Sequence, residues 1–407
     1  MPIIIDRLSI LADGIAETPA GRLHVAMALP GETVEGAVEA GRIAAPRILS
    51  PSPERVKAPC PHYRACGGCV LQHASDRFVE GWKAEVVETA LAARDIAAKV
   101  ARVETSPAFS RRRASFSGRR TKKSTLVGFH ARASDTVVEV PECRILRPEL
   151  LATLPALHEA TALGASRKGE MSFALTLSEA GVEVAATGGK EIEPALFQSL
   201  AALAEAQDFA RLSWNDETIA ARRPALQSFG PARVTPPPGA FLQATAEGAA
   251  ALVAFVTRAT EGAAKIADLF AGCGTFALPL ARGAEVHAVE SEAGMLAALD
   301  RGWRAAPGLK KLTHEARDLF RRPLLPDEIA RFDALVLDPP RAGAEAQVTE
   351  IAASTCTRLA YVSCNPVTFA RDAERLTRAG FMLEELIVVD QFRWSAHIEL
   401  AARFSRA

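Results

Sequence analysis

Two sets of side chains in this sequence of 407 residues could do chemistry, and cysteine is central to both. Cys364 stands in Tyr361-Val362-Ser363-Cys364-Asn365-Pro366, after an apolar run and just before a proline able to open a helix. A thiol at a helix N-terminus is acidified and becomes a nucleophile, whereas an isolated buried cysteine is more often inert packing. Asp338-Pro339-Pro340-Arg341-Ala342-Gly343 ends another apolar run, and its prolines remove two backbone donors and stiffen the loop. Glu399, between Ile398 and Leu400, is either a partly desolvated base or an outward-facing strand residue. The other set is Cys60-Pro61-His62-Tyr63-Arg64-Ala65-Cys66-Gly67-Gly68-Cys69, whose paired glycines let the loop fold back on itself. With Cys143 it offers four thiolates, enough for zinc or a [4Fe-4S] cluster. Spacing favours a metal without choosing it. His62 is an alternative ligand or a solvated loop residue.

A further loop, Asp268-Leu269-Phe270-Ala271-Gly272-Cys273-Gly274-Thr275-Phe276, follows an apolar run and precedes a short helix pattern. Its glycines permit a tight turn and a close backbone approach to a ligand, and Glu290, about 20 residues on, can accept both hydroxyls of a ribose. A dinucleotide site would want a third glycine where Thr275-Phe276 stands. S-adenosylmethionine, which has no phosphate, fits the looser turn better. Asp318 sits where a third strand would end and is either an adenine contact or a solvated acid.

The elements that must position these groups follow from periodicity. From Phe241 onward, apolar strands alternate with helices, the pattern of a parallel sheet covered on both faces. Strands are predicted at 266–270, 285–290, 334–338, 359–364, 383–390 and 397–404, with helices near 246–260, 276–281, 292–304, 344–354 and 367–379. Before this lie a small antiparallel barrel in residues 1–52, with strands near 23–29 and 33–39, and a central region, 53–235, with a helix over 76–93. Pro51-Ser52-Pro53 and Pro236-Pro237-Pro238 mark the boundaries. Lys plus Arg and Asp plus Glu both total 48, so any polyanion footprint must be local. Arg111-Arg112-Arg113, Arg119-Arg120 and Lys122-Lys123 form such a stretch, with Phe116 interleaved, suited to phosphates and a stacked base. No stretch has the length and apolarity of a membrane span or signal core, and the seven cysteines are odd in number, so a cytoplasmic protein with metal-bound or catalytic thiols is expected.

Taken together, the glycine loop, Asp338-Pro339-Pro340-Arg341-Ala342-Gly343, Ser363-Cys364-Asn365-Pro366 and Asp390-Gln391-Phe392-Arg393-Trp394-Ser395-Ala396-His397-Ile398-Glu399 resemble the RNA uracil-5-methyltransferase family. Within it the resemblance is to the iron–sulfur branch acting on large-subunit (23S) ribosomal RNA. It spans essentially the whole chain. It implies an α/β protein with a Rossmann-like class I methyltransferase domain in residues 236–407, a TRAM-like, OB-like RNA-binding barrel in 1–52 and a mixed α+β iron–sulfur domain in 53–235. By the same resemblance Cys364 is the nucleophile and Glu399 the proton acceptor. Gln243, Phe270, Thr275, Glu290, Asp318 and Asp338 contact S-adenosylmethionine, and Cys60, Cys66, Cys69 and Cys143 hold a [4Fe-4S] cluster. The partner implied is 23S rRNA, with no membrane and no obligate protein partner. Thr245, Arg393 and Ser395 stand where the family usually has asparagine, proline and threonine.

Uracil chemistry explains such a constellation. Carbon 5 is too weak a nucleophile to take a methyl group until a thiolate adds to carbon 6 and forms an enolate. A base must then remove the carbon-5 proton so that elimination can release the cysteine. Rival readings are a transfer RNA uridine methyltransferase, an amine methyltransferase and a non-catalytic RNA-binding assembly factor.

Overall fold

The computed structural model describes residues 2–407. Its largest sheet has eight strands, in the spatial order Leu312–Ala316, Glu285–Glu290, Lys265–Leu269, Ala334–Leu337, Arg358–Ser363, Leu400–Ser405, Met382–Asp390 and Arg102–Thr105. The first five run parallel, and Leu400–Ser405 is antiparallel to both neighbours. Ala334, Leu335, Val336 and Leu337 are all fully buried, because helices cover both faces and leave no side for polar residues. One face packs Leu252, Phe255 and Val256 of the Ala246–Ala259 helix against Val336 and Val362. The other packs Phe369, Ala373 and Leu376 of the Pro366–Arg378 helix against Tyr361 and Leu400.

The predicted strands and helices of this region are present to within a few residues, the last strand starting at Leu400 rather than His397. Its eighth strand is a surprise. Arg102–Thr105 pairs in parallel with Met382–Asp390, and Val87 and Leu91 of the Asp76–Ala92 helix enter the core of the same sheet. Residues 76–105, grouped with the central region by chain order, therefore lie in the catalytic layer. Ser75 caps that helix by accepting the Phe78 N–H at 3.2 Å.

The central region is a seven-stranded sheet from Val137–Val138 through Thr125–His130, Arg113–Arg120, Glu170–Ser178, Gly181–Thr187 and Arg211–Trp214 to Glu217–Ala221. The Leu154–Gly164 and Pro194–Ala206 helices pack on it over Phe116, Phe173 and Trp214. Residues 3–50 form two small sheets of three and four short strands around Ile5, Val25, Val34 and Ile43, with strands at Gly21–Val25 and Thr33–Glu35 where longer ones were predicted. No helix among the described residues is long and apolar enough to cross a membrane.

Candidate active site

Strand order creates the cleft. Lys265–Leu269 lies between Glu285–Glu290 and Ala334–Leu337, so the crevice opens at its carboxyl end, where the chain turns through the glycine loop. Phe270, Gly272 and Gly274 all have positive φ, and a Cβ at Gly274 would stand 2.9 Å from Leu278 and 3.0 Å from Leu299. Glycine is required there. Glu290 fixes the loop: one carboxylate oxygen accepts the Gly272 N–H at 3.0 Å and the other those of Ser291 and Glu292 at 2.7 and 3.0 Å. A ribose diol would share this carboxylate with those amides. Asp318 accepts the Phe320 N–H at 2.9 Å and so shapes its own turn. That turn lays Phe320, absent from the sequence expectations, beside Phe270, with ring centroids 5.5 Å apart. Exposed Phe320 gives the cleft an aromatic wall. Thr275 also lines a hollow of about 610 Å³ shared with Ser110, Arg112 and Gln227, between the eight-stranded and seven-stranded sheets.

Cys364 leaves the end of Arg358–Ser363, next to Asp338 at the end of Ala334–Leu337. Asn365 joins the two loops, its side-chain amide donating to the Arg341 carbonyl at 2.9 Å, while the Thr368 hydroxyl donates to the same carbonyl at 3.2 Å. Gly343 completes the turn at φ +78°, and any side chain there would strike Arg371 and Asp372. The expected acidification of Cys364 by the helix N-terminus is corrected by the structure. Asn365 accepts the Val367 N–H through its own side chain at 3.1 Å, so that amide is already satisfied. Burial, with Glu399 and Asp338 adding negative potential, pushes the thiol up to about 11, against a smaller opposing effect of Arg341.

Glu399 is turned inward, 3% exposed, and so is not an outward-facing strand residue. Burial and Asp338 raise its pKa well above the carboxylate range, and desolvation raises Asp338 to about 7. Two side-chain amides bridge these acids. Gln391 donates to Glu399 at 3.2 Å and to the side-chain amide oxygen of Gln243 at 2.5 Å, and the Gln243 side-chain amide donates to Asp338 at 3.4 Å. Gln391 also accepts the Ala244 N–H at 2.7 Å. Two buried carboxyls so close resist ionising together, which suits a site that must take up and release one proton. Asp268, beneath the glycine loop, is a third buried acid whose oxygens have no hydrogen-bond partner, and it too is raised well above the carboxylate range by burial and Asp338.

The other thiols divide cleanly. Cys273 contacts the Met295 sulfur at 3.0 Å and Cys356 donates to the Arg358 carbonyl at 3.2 Å; both are buried packing residues. Cys60, Cys66, Cys69 and Cys143 lie within electrostatic reach of one another; burial above all, and then neighbouring thiolates, raises Cys66, Cys69 and Cys143, Cys69 to about 12. Backbone amides partly offset this: the Gly68 N–H points at the Cys66 sulfur at 3.4 Å, and Ile145 and Leu146 present backbone N–H groups to Cys143. Among the described residues no three His, Cys, Asp or Glu side chains converge on a single metal ion. His62 accepts the Glu142 N–H at 3.3 Å and so braces the two cysteine segments against each other.

The cysteine loop also touches the arm of residues 390–399 that ends at Glu399. Val70 and Leu71 donate to the Trp394 carbonyl at 2.8 and 3.0 Å, and Trp394 donates to Asp76 at 3.1 Å. The residues that depart from the family pattern make contacts of their own. Thr245 caps the Ala246–Ala259 helix and bonds Ser106 at 2.8 Å, Arg393 pairs with Asp76, and Ser395 accepts the His397 N–H at 3.1 Å.

The basic stretch does not form one stripe. Arg111, Arg112 and Arg113 turn inward onto the carbonyls of Arg113, Gln243 and Leu242, at 3.0, 3.2 and 2.7 Å, and burial lowers Arg113 to about 10. Phe116 is buried in a stack on Phe129, with centroids 4.7 Å apart, and cannot stack on a base. Arg119, Arg120, Lys122 and Lys123 remain at the surface, and Arg119 and Arg120 line a hollow of about 280 Å³ with Arg167, Lys168 and Glu170, the last paired with Arg119.

Against known proteins, residues 305–406 match the family model described as tRNA (Uracil-5-)-methyltransferase. An uncharacterized RNA methyltransferase of Brucella suis biovar 1 (strain 1330) is 44% identical over 390 residues, 96% of this chain and 94% of that one. The 23S rRNA (uracil(1939)-C(5))-methyltransferase RlmD of Chromohalobacter salexigens is 32% identical over 422 aligned positions, 97% of this chain and 87% of that one. In fold, the Pyrococcus abyssi tRNA (uracil-54, C5)-methyltransferase, solved with S-adenosyl-L-homocysteine, superposes with a TM-score of 0.75 at 22% identity over 99% of both chains.

Proposed function

We propose how this chain, which belongs to the RNA uracil-5-methyltransferase family, uses that site: it methylates carbon 5 of a uridine in 23S rRNA through a covalent adduct of Cys364 at carbon 6. The observation that carries the reading is the meeting, at neighbouring strand ends, of the Cys364 thiol with Asp338 and with a buried Glu399 bridged to Asp338 through Gln391 and Gln243. S-adenosylmethionine, bound over the glycine loop, supplies the methyl group and a positive sulfonium. Glu290 would hold its ribose, Phe270 and Phe320 would flank its adenine, and Asp318, Thr275, Gln243 and Asp338 would complete the contacts. A positive charge there would oppose the burial and the negative potential of Glu399 and Asp338 that raise Cys364, and would favour its thiolate.

The Cys364 thiolate adds to carbon 6 of the uracil and the electron pair moves onto carbon 5, which takes the methyl group as the methyl–sulfur bond of the donor breaks and S-adenosylhomocysteine leaves. Glu399 accepts the carbon-5 proton, the carbon 5–carbon 6 double bond reforms, and the carbon–sulfur bond breaks to return the thiolate. A raised pKa makes the ionised Glu399 a stronger base. The target uridine is unstacked and flipped, since a stacked base hides carbon 6 from the thiol. Cys60, Cys66, Cys69 and Cys143 hold a [4Fe-4S] cluster whose loop braces the catalytic arm. The Arg119, Arg120, Lys122, Lys123, Arg167 and Lys168 surface takes RNA phosphates.

The ribosomal substrate is supported by the Chromohalobacter relative, whose match includes the cysteine loop. A transfer RNA substrate is the second reading, favoured by the name of the matched family. One experiment tests both. RNA carrying 5-fluorouridine traps the adduct, because fluorine cannot leave as a proton does. A 23S fragment and a transfer RNA, each with S-adenosylmethionine, should give a Cys364 adduct on the ribosomal fragment alone. Capture of the transfer RNA alone would reverse the substrate, and an adduct at Cys273 or Cys356, or none, would overturn the mechanism.

A further inference from the structure

Lys83 is fully buried on the apolar face of the Asp76–Ala92 helix, in line with Val79, Val87 and Leu91. A buried ammonium is costly unless its donors are matched, and Lys83 has three donors and three partners. It donates to Asp390 Oδ1 at 2.6 Å, to the Phe392 carbonyl at 3.2 Å and to the His397 carbonyl at 2.9 Å. All three acceptors belong to one arm. At the base of that arm, Val389 N–H donates to the Glu399 carbonyl at 2.8 Å. Gln391 on the outgoing leg bonds Glu399 on the returning leg, and Asp390 Oδ1 also accepts the Phe392 N–H at 3.0 Å. Lys83 thus sets the width and depth of the loop from within, through two carbonyls on opposite legs. Cys364 is held mainly by other bonds, those of Asn365 and Thr368 to the Arg341 carbonyl, and the Arg341 side chain meets the arm at His397 Nδ1, 3.2 Å away, not at Glu399.

We infer that Lys83 is a positioning residue for proton removal: it fixes where Glu399 stands when the proton leaves carbon 5, while addition of the thiol and transfer of the methyl group proceed without it. This rests on the reading of Glu399 as proton acceptor. A residue that serves only the fold would slow every step together, whereas one that serves the arm slows the last step and lets the preceding covalent species accumulate.

The test uses full-length protein, S-adenosylmethionine and RNA bearing tritium at carbon 5 of its uridines. Tritium release reports proton removal, and a denaturing gel reports protein joined to RNA. Lys83→Met should slow tritium release by on the order of tenfold to a hundredfold, the scale of an ångström-level misplacement. Covalent protein–RNA should build up on ordinary uridine RNA, as it should for Glu399→Gln, while trapping on 5-fluorouridine RNA stays near wild type. Lys83→Arg, which keeps a buried donor, should recover part of the release rate. If Lys83→Met is unfolded, Lys83→Met with Asp390→Asn removes both charges and should show the same build-up. Tritium release falling in step with trapping, or unchanged release in either folded variant, would overturn the inference. Failure of wild-type protein to trap 5-fluorouridine RNA would instead overturn the proposed function.

Discussion

Cys364 and the four-thiol loop present the same functional group, raised by burial in both places, among opposite polar neighbours. Around Cys364, Glu399 and Asp338 add to burial in raising the thiol, and the nearby helix amide is capped by Asn365. Around Cys66 and Cys143, backbone N–H groups aim at sulfur and partly offset burial, and Arg111 lies within electrostatic reach of Cys69 and Cys143. One setting suits a thiolate that forms transiently and is released. The other suits thiols that ionise on binding a metal and then stay bound.

Removing the transient thiol should produce the largest effect. Cys364→Ala should abolish both methyl transfer and 5-fluorouridine trapping, while Cys273→Ala and Cys356→Ala keep the trap; assays of tritiated methyl incorporation and gel shift check this. Next, Cys66→Ala should remove iron, measured by metal analysis and visible absorbance, and lower the melting temperature by several degrees, because the loop also supports Trp394. Wild-type turnover by the iron-free variant would erase the contrast between the two settings. The acidic environment of Cys364 has its own signature. Asp338, raised to about 7, binds its proton more tightly in the folded state than in the unfolded chain. Its contribution to stability is therefore full below the unfolded pKa and declines as pH rises toward 7, by up to ~1.4 kcal/mol per pH unit. Asp338→Asn should flatten that part of the denaturant-midpoint profile. Smallest is the remote surface: Arg119→Glu with Lys122→Glu should raise KM for RNA about tenfold with little change in kcat, and reduce the salt slope of binding by about 2.

The parts of the site legible in the sequence were those whose role is set by local chain: the glycine turn, Glu290 at a strand end, Asp338 before its prolines and Cys364 before Pro366. Each is placed by the strand it terminates. Residues placed by distant packing were not legible. Gln391 and Phe320 stood in view without a role, and Arg102–Thr105 carries nothing to say that its partner strand lies at the far end of the chain. Lys83 left a faint signal, a charge in register with Val79 and Val87 on the apolar face. The basic stretch misled because a charge count cannot see burial; Arg111 to Arg113 are spent on carbonyls of the chain's own backbone.

The pairing of Arg102–Thr105 with Met382–Asp390 also sets the order in which the protein can be made. Arg102 and Glu385, an ion pair across that seam, are 283 residues apart. During synthesis the early strand must wait, with its hydrogen-bonding edge open, until almost the whole chain has emerged, a topology that folds slowly and invites the attention of chaperones. A fragment starting at residue 236 would have the reverse defect. Met382–Asp390 would become a bare edge, a template for aggregation.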